Sequence, residues 1–520
     1  MTVNDNASKR GIWILIGCAT TVVAVLVDLG KLHRYHNADS LVPVLLSLYR
    51  WQFYYWEQNR FGMLVPLLAS PFDHPLTNLL VQNGITAWSG ILGIFLASRY
   101  LYRDHTWPLI GFASSILFFL VAPLYFQWMY LSTWTVYAPS LPLAFTALLL
   151  VIPTEGQSRP KIWKLLVALA LVALAAWVNS AMAFLLVPLV GATGLFRWLS
   201  DSARPRVSYR NPHLVELVLS AFLLISGTAF AIATQKIKAL APYPTTWVQF
   251  PAAAEWPDLA TMMATGFWSD IEPVEWAGTM VVSLAIACGF LLFSNYRRIT
   301  LQSLALVLLT FVAVVVYAAL MGVLFKGRWR YGIPGIMLLH IAVIASFVRP
   351  WASQSNPLRI RQLMYGACVL LVGAVLVAHS YPSLARVRAD LDQIPAGSKT
   401  GSTAGARADA LIESNATHVA GSYWDVWPAV FLANVKLAER DEKRTIWGLT
   451  HRAWPTERSW SSVPRDRIRI ASFPDDPGMD GINPGDPPMQ SLDWVKLYLH
   501  LPIREVHRST TVQIFVPVDD

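Results

Sequence analysis

The sequence predicts a polytopic α-helical membrane protein, with about 11 transmembrane helices, exterior interfacial helices and a C-terminal α/β soluble domain. Three observations predict this fold class. The 520-residue chain is 55% hydrophobic and only 14% charged, with a mean hydropathy of +0.44. Its apolar residues are gathered in runs long enough to cross a bilayer. Residues 381–520 contain no such run and are richer in Pro, Asp, Arg and Ser.

The apolar runs define the predicted spans, since each crossing needs roughly 20 apolar residues. The first run, residues 11–28, follows Lys9 and Arg10 and has no small-residue cleavage site, so we interpret it as an uncleaved signal anchor. One stretch from Lys164 to Leu199 is divided into a hairpin at Asn179 and Ser180. The other spans are predicted at 79–101, 107–125, 135–153, 163–178, 181–198, 214–234, 277–295, 301–324, 333–348 and 363–380.

Basic residues orient these spans, because cytoplasmic loops carry an excess of Lys and Arg. With the N-terminus on the cytoplasmic side, an odd number of spans places residues 381–520 outside. Most of the net charge of +9 lies in these loops, so topology explains it better than nucleic-acid binding does. The basic loops contain Arg99 and Arg103; Arg159, Lys161 and Lys164; Arg197, Arg204, Arg206 and Arg210; Arg297 and Arg298; and Arg349, Arg359 and Arg361.

Three exterior segments interrupt the pattern of helix and short loop, and function is expected there. Residues 29–78 are too polar to span and predict two interfacial helices, with Trp51, Tyr54, Tyr55 and Trp56 in the headgroup layer. The other segments are residues 235–276, rich in Pro and Trp, and residues 325–334, which contain KGRWRYGIP.

The sequence excludes several classes of chemistry. It contains no P-loop, dinucleotide fingerprint or cysteine-based zinc spacing. Cys18, Cys288 and Cys368 fall inside apolar runs and indicate neither a metal site nor redox chemistry.

The C-terminal segment predicts a small α/β domain over residues 381–520, separate from a transmembrane domain over residues 1–380. Short apolar stretches with turn residues between them predict strands at HVAGSY, RTIWGL, RIRIASF and TTVQIFVP. Helical periodicity predicts helices at ARADALIES, DVWPAVFLANVKL and SLDWVKLYLH.

Asp39 is the first candidate catalytic residue. It lies in YHNADS, shortly after the first span, and an apolar helix follows it. A carboxylate partly removed from water there is suited to act as a general base toward a hydroxyl. The alternative is an N-cap, because either Asp39 or Asn37 stands before the helix SLVPVLLSLYRW.

Other polar residues of the first loop are candidates for binding. His33, His36 and Asp39 are spaced three apart, so a helix would place them on one face, where His36 and Asp39 are candidates for a metal site. Glu57 and Arg60 in YYWEQNRFG are either a helix-surface ion pair or ligands for sugar hydroxyls and phosphate. Asp73 and His74 in PFDHP either bind substrate or simply begin the next span.

The segment KGRWRYGIP places Lys326, Arg328 and Arg330 on the predicted outer side, where positive charge opposes the insertion rule. An anionic partner explains this position, since guanidinium groups bind phosphate in bidentate fashion. The alternative is that these side chains reach toward lipid headgroups.

In these features the chain resembles the GT-C superfamily of membrane glycosyltransferases, which use polyprenyl-phosphate sugars. Its arrangement of spans and domains is similar to that of protein O-mannosyltransferases and aminoarabinose transferases. The resemblance lies in an acidic first exterior loop, interfacial helices after it, the R-Y-x-x-P segment of Arg330, Tyr331 and Pro334, and the segment YWDVWPAVFLA in an exterior domain. Those families usually carry paired acidic residues in the first loop, whereas this chain has Asp39 alone in NADS.

The resemblance implies inverting transfer of a sugar from a polyprenyl-phosphate donor to an acceptor hydroxyl of a lipid, polysaccharide or protein, outside the plasma or inner membrane. It implies Asp39 as the base, Lys326, Arg328, Arg330 and Tyr331 at the donor phosphate, and no required cofactor, leaving a divalent cation open. Sugar or acceptor binding is expected at Asn37, Glu57, Arg60, Asp73 and His74.

Three alternatives stay open at this stage. One is a transporter or flippase for a lipid-linked sugar, although charged residues are nearly absent from the spans apart from Glu216. The others are a polysaccharide polymerase or ligase that uses diphosphate-linked donors, and a scaffold without catalytic activity.

Overall fold

The computed structural model of the chain describes the predicted spans, the first loop and the C-terminal segment with gaps. The described residues are 3–49, 53–55, 58–132, 137–152, 160–202, 212–237, 257–258, 261, 305–317, 333–352, 355, 357–379, 382–395, 402–450, 463–474, 493, 496 and 502–518. The predicted span 277–295 lies outside these residues, as does nearly all of the predicted exterior segments 235–276 and 325–334.

The chain forms two compact units. One contains Met1–Asp28, Gln58–Gly62 and Gly84–Ser380, and the other contains Leu29–Glu57, Met63–Asn83 and Tyr381–Asp520. The second unit therefore combines the C-terminal segment with most of the first exterior loop. Asp39 consequently packs in the same unit as the C-terminal domain.

The first unit is built from long apolar helices. Five helices in the described part of the chain have the length and composition needed to cross a membrane. The others are shorter apolar helices, so this unit has the elements of a multi-pass membrane protein. The helices are Val3–Asp28, Pro75–Leu101, Trp107–Val121, Leu124–Leu131, Tyr137–Leu150, Ile162–Val178, Met182–Ser202, Pro212–Lys236, Ala305–Tyr317, Ile333–Ala352 and Pro357–His379.

Two chain breaks in the apolar runs have local causes. The predicted division at Asn179 is confirmed: the side-chain oxygen of Asn179 accepts a hydrogen bond of 3.0 Å from the amide of Ala181, which turns the chain between two helices. The helix in the predicted span 107–125 ends earlier than predicted, at Val121. Ala122 is extended, with ψ of 136°, since the residue before a proline avoids helical geometry.

Basic residues of the predicted cytoplasmic loops also join helices of the first unit. Arg103 and Arg197 both form ion pairs with Glu216, the second with an N···O distance of 2.7 Å. Arg349 forms an ion pair of 2.9 Å with Asp104. These residues therefore contribute contacts between helices as well as topological charge.

The first exterior loop differs from its prediction in one segment. It contains the short helix Lys31–Tyr35, the helix Ala38–Tyr49, the strands Tyr54–Tyr55 and Gln58–Gly62, and the helix Leu64–Ala69. Tyr54–Tyr55 and Gln58–Gly62 are thus extended, as their aromatic residues favour. Arg60 lies in the strand Gln58–Gly62, so the interpretation of Arg60 as one half of a helix-surface ion pair is wrong. Tyr54 is buried.

In its described residues, the C-terminal domain contains a five-stranded sheet with helices, as predicted. The strand order is Trp447–Leu449, His418–Ala420, Ile470–Ser472, Gln513–Pro517, Ile503–Arg508, with the first three parallel and the last two antiparallel to their neighbours. Its helices are Leu384–Asp392, Ala404–Glu413 and Tyr423–Glu439. The four predicted strands and two predicted helices are confirmed, while Leu384–Asp392 and Ile503–Arg508 were not predicted. The predicted helix SLDWVKLYLH lies outside the described residues, apart from Asp493 and Lys496.

Candidate functional site

The helix Ala38–Tyr49, here called the Asp39 helix, begins with a cap formed by the side chain of Ser40. The amide of Asn37 donates to the hydroxyl oxygen of Ser40 at 3.0 Å, and this hydroxyl donates to the carbonyl of Asn37 at 2.9 Å. Asn37 therefore occupies the N-cap position, and Ser40, three residues later, acts as in a capping box. The side chain that caps the helix is thus that of Ser40, although the sequence had suggested Asp39 or Asn37.

His36 is buried beside this cap and is held at both ring nitrogens. Its Nδ1 lies 2.9 Å from Ser40 Oγ, and the amide nitrogen of Asn83 lies 3.2 Å from its Nε2. Since the Ser40 hydrogen is already donated to Asn37, we assign the ring hydrogen to Nδ1 and the accepting lone pair to Nε2. Burial, and secondarily the nearby His33, lowers the pKa of His36 well below its usual value. His36 is therefore a neutral structural side chain.

The structure does not reproduce the predicted metal face. His33 belongs to the short helix Lys31–Tyr35, His36 follows it with an extended ψ of 143°, and Asp39 belongs to the next helix. The three residues therefore do not share one helix face. Among the residues that the structure describes, no group of three potential ligands is placed to hold a metal ion.

Asp39 itself makes a hydrogen bond to the C-terminal domain. The hydroxyl of Tyr423 donates to Oδ1 of Asp39 at 2.9 Å, although 384 positions separate the two residues. Tyr423 is only 1% exposed, whereas Asp39 is half-buried. Tyr423 is the first residue of the helix Tyr423–Glu439, here called the Tyr423 helix, which packs against the Asp39 helix. The predicted base is therefore held by a buried phenol.

The other end of the Asp39 helix also contacts the C-terminal domain. The rings of Tyr49 and Trp447 meet edge to face, with centroids 6.3 Å apart and planes at 87°. Trp447 in turn meets Trp427 of the Tyr423 helix at 5.4 Å and 81°. Aromatic pairs at these distances prefer such geometry and add to the stability of a contact.

Asn78 fixes the Asp39 helix to the rest of the first loop. Its side-chain nitrogen contacts the hydroxyl of Ser47 at 3.1 Å and the carbonyls of Ala69 at 2.8 Å and Phe72 at 3.1 Å. The hydroxyl of Ser47 donates to the carbonyl of Pro66 at 2.9 Å. Because all these groups are buried or nearly so, losing one partner leaves another polar group unpaired.

The remaining predicted site residues fall into three groups. Asp73 is exposed and His74 half-buried, and the carbonyl of His74 accepts a hydrogen bond of 2.9 Å from Asn78 at the start of the next helix. Both belong to the same compact unit as Asp39. Arg60 contributes its backbone to the strand Gln58–Gly62. Outside the described residues lie Glu57, Lys326, Arg328, Arg330 and Tyr331.

Sequence reasoning missed Tyr423, Asn83 and Asn78 as partners of the site. Tyr423 was noticed only as part of YWDVWPAVFLA, and no spacing in the sequence connects it with Asp39. Asn83 and Asn78 lie at the start of a long apolar helix, where nothing in the sequence distinguishes their amide side chains from other polar residues.

Comparison with known proteins adds two remote structural similarities. No family model matches the sequence, and neither does any curated protein. The chain is similar to the crystal structure of ArnT from Cupriavidus metallidurans bound to undecaprenyl phosphate, with 10% identity, a TM-score of 0.45 and 98% of each chain covered. It is also similar to the apo structure of the same protein, with 12% identity, a TM-score of 0.34 and coverage of 97% of this chain and 98% of that chain.

Proposed function

We propose that the protein is an inverting glycosyltransferase of the GT-C type, which moves a sugar from a polyprenyl-phosphate donor to an acceptor hydroxyl at the outer face of the cell membrane. One observation carries the proposal: Asp39, in the first turn of a helix that closely follows the first span, accepts a hydrogen bond from the buried Tyr423. A carboxylate held in this way is suited to general base catalysis.

The reaction needs one base and one cationic group. Asp39 takes the proton of the acceptor hydroxyl while that oxygen attacks the anomeric carbon from the face opposite the phosphate. The bond between the anomeric carbon and the phosphate oxygen breaks, and its electron pair leaves with the polyprenyl phosphate. Because this leaving group is a stable anion, no second carboxylic acid is required to protonate it. Positive charge suffices to stabilise it.

The donor phosphate is assigned to the basic segment of residues 325–334. Guanidinium groups remain charged at physiological pH and bind phosphate oxygens in pairs. The guanidinium groups are those of Arg328 and Arg330. Lys326 supplies an ammonium group, and Tyr331 supplies a hydroxyl donor. The sugar and the acceptor are assigned to the polar side chains of the first loop, namely Asn37, Glu57, Arg60, Asp73 and His74.

Membrane placement follows the same proposal. The N-terminus lies in the cytoplasm, and the C-terminal domain lies outside the plasma or inner membrane with Asp39. Five apolar helices of sufficient length in the described part support a membrane location, and the alternation of basic loops supports this orientation. The lipid carrier is a polyprenyl phosphate, and the acceptor is a glycan, lipid or protein.

The test compares purified native protein with Asp39→Asn on a panel of radiolabelled polyprenyl-phosphate sugars and membrane acceptors. Loss of a general base is expected to lower the transfer rate about 100- to 10,000-fold. Asp441→Asn is the matched control, because Asp441 is exposed in the same unit and its φ of 56° suits Asn as well as Asp. Equal rates for native protein and Asp39→Asn contradict the proposal.

Two further outcomes would favour other functions. Movement of labelled lipid across proteoliposomes without sugar transfer would indicate a flippase. Transfer only from diphosphate-linked donors would indicate a polymerase or ligase.

A further inference from the structure

We infer that Tyr423 is a positioning residue for Asp39, so that the C-terminal domain sets the orientation of the base in sugar transfer. This inference rests on the proposed function, because it assigns to Tyr423 a role that is exerted through Asp39.

The first step is the direction of the hydrogen bond. An ionised carboxylate only accepts hydrogen bonds, and the phenol of Tyr423 is the donor at 2.9 Å from Oδ1. A hydrogen bond to an ionised group is shorter and stronger than one between neutral groups. It therefore restricts rotation of the carboxylate.

The second step is the rigidity of the donor. Tyr423 is 1% exposed, its ring meets that of Trp424 edge to face at 5.1 Å, and the backbone begins the Tyr423 helix. The next turns of that helix are buried through Val426 and Trp427. Since the phenol cannot follow a moving carboxylate, it fixes the position that Asp39 occupies.

The third step is that the C-terminal domain holds the Asp39 helix at both ends. Tyr423 contacts its first turn, and Trp447 contacts Tyr49 at its last residue. Between these contacts, Leu41, Val42 and Leu45 of the Asp39 helix are fully buried. A domain that merely covered this helix would need apolar contacts only. A hydrogen bond to the one predicted catalytic side chain indicates a role in the reaction.

The chemical consequence is an effect on turnover. A general base must lie within hydrogen-bond reach of the proton that it removes, and small displacements of reacting groups slow a reaction strongly. In the proposed mechanism the donor is bound by the basic segment of residues 325–334 and by polar side chains of the first loop. Removal of the phenol is therefore expected to lower kcat and to leave the donor KM unchanged.

The first experiment compares Tyr423→Phe with native protein in the sugar transfer assay. We expect kcat to fall about 10- to 100-fold, the range that corresponds to losing a hydrogen bond to a charged group. Tyr130→Phe is the matched control, because Tyr130 is also buried and donates one hydrogen bond, of 3.0 Å, to the carbonyl of Gly90. The control is expected to keep native kcat. Native kcat in Tyr423→Phe would overturn the inference.

The second experiment separates a positioning role from a general loss of structure. In an Asp39→Glu background the longer side chain displaces the carboxylate, so adding Tyr423→Phe is expected to reduce kcat much less than it does in native protein. If Tyr423→Phe instead damaged folding, it would lower kcat by the same factor in both backgrounds, because the free-energy effects of independent substitutions are additive. The same factor in both backgrounds would overturn the inference even if Tyr423→Phe alone is slow.

The two proposals fail in different ways. Unchanged transfer by Asp39→Asn removes the base and, with it, the proposed mechanism. Loss of transfer in Asp39→Asn together with native kcat in Tyr423→Phe leaves the mechanism in place and removes only the role of Tyr423.

Discussion

The side-chain nitrogen of Asn83 donates a hydrogen bond of 3.2 Å to Nε2 of His36, 47 positions earlier in the chain, and both residues are buried. The same imidazole contacts Ser40, which caps the Asp39 helix. His36 therefore links the start of this helix to the long helix Pro75–Leu101. This link requires a neutral ring, because Nε2 must accept a hydrogen bond.

The first prediction concerns the pH dependence of stability. Because the folded-state pKa of His36 is well below its ordinary value of 6.5, the unfolded chain binds a proton first as the pH falls. The stability that neutral His36 contributes is thus fully present above about pH 6.5 and is lost as the pH falls through the folded-state pKa. Thermal melting in detergent between pH 7.5 and about pH 5 is expected to show a falling Tm.

The matched variants for this prediction are His36→Gln and His105→Gln. His105 is exposed, so its replacement is expected to leave the slope of Tm against pH unchanged. His36→Gln removes the titrating ring and is expected to flatten that slope. An equal slope in native protein and His36→Gln would contradict a buried neutral histidine at this position.

The second prediction concerns Gly62, at the end of the strand Gln58–Gly62. A Cβ atom there would lie 2.6 Å from both the carbonyl oxygen and Nε1 of Trp177. Gly62→Ala is therefore expected to destabilise the protein by about 1–3 kcal/mol, as overpacking does. Melting temperature in detergent is the measurement.

Gly191 provides the control for that substitution. It lies in the helix Met182–Ser202, and an added Cβ would meet no atom within 4 Å. Gly191→Ala is expected to be neutral or to stabilise the helix by about 0.5–1 kcal/mol. A lower Tm in Gly191→Ala than in Gly62→Ala would contradict the prediction that contact of the added Cβ with Trp177 destabilises Gly62→Ala.

The sequence was sufficient to predict turns and strands where interactions between neighbouring residues decide the structure. Asn179 marked a turn because its side chain bonds to the backbone two residues later, and short apolar stretches between turn residues marked four strands of the C-terminal sheet. Local signals were misread where two preferences compete. Pro123 ended a helix inside an apolar run, and the aromatic residues of YYWEQNRFG favoured strands over the helix that its charge spacing suggested.

Contacts between distant parts of the chain were beyond sequence reasoning. The sequence identified Asp39 as a candidate base from its place after the first span. The sequence did not indicate that Tyr423 would donate a hydrogen bond to Asp39, because nothing in it distinguishes Tyr423 from the other tyrosines among the 18 of the chain. Such a pairing depends on how the Asp39 helix and the Tyr423 helix pack, which arises from apolar residues that many arrangements would bury.

The third prediction concerns metal removal. In the proposed reaction the leaving phosphate is stabilised by guanidinium groups, and both ring nitrogens of His36 are engaged by Ser40 and Asn83. Dialysis of the purified protein against EDTA is therefore expected to leave the rate of sugar transfer unchanged. Native protein returned to buffer with Mg²⁺ or Mn²⁺ after dialysis is the control. A rate that falls with EDTA and returns with either cation would place a metal ion in the reaction.

The fourth prediction tests the basic segment. If Arg328 and Arg330 bind the donor phosphate, Arg328→Gln and Arg330→Gln each remove charged hydrogen bonds and are expected to raise the donor KM about 10- to 100-fold. Arg330→Lys keeps the charge but loses bidentate geometry, so an intermediate KM is expected. Arg359→Gln is the control, because Arg359 is exposed in a loop predicted to face the cytoplasm. Rising donor concentration should restore the rate in the Gln variants, since the base is intact. A kcat loss at saturating donor with native KM would instead assign these arginines to the transition state and not to donor binding.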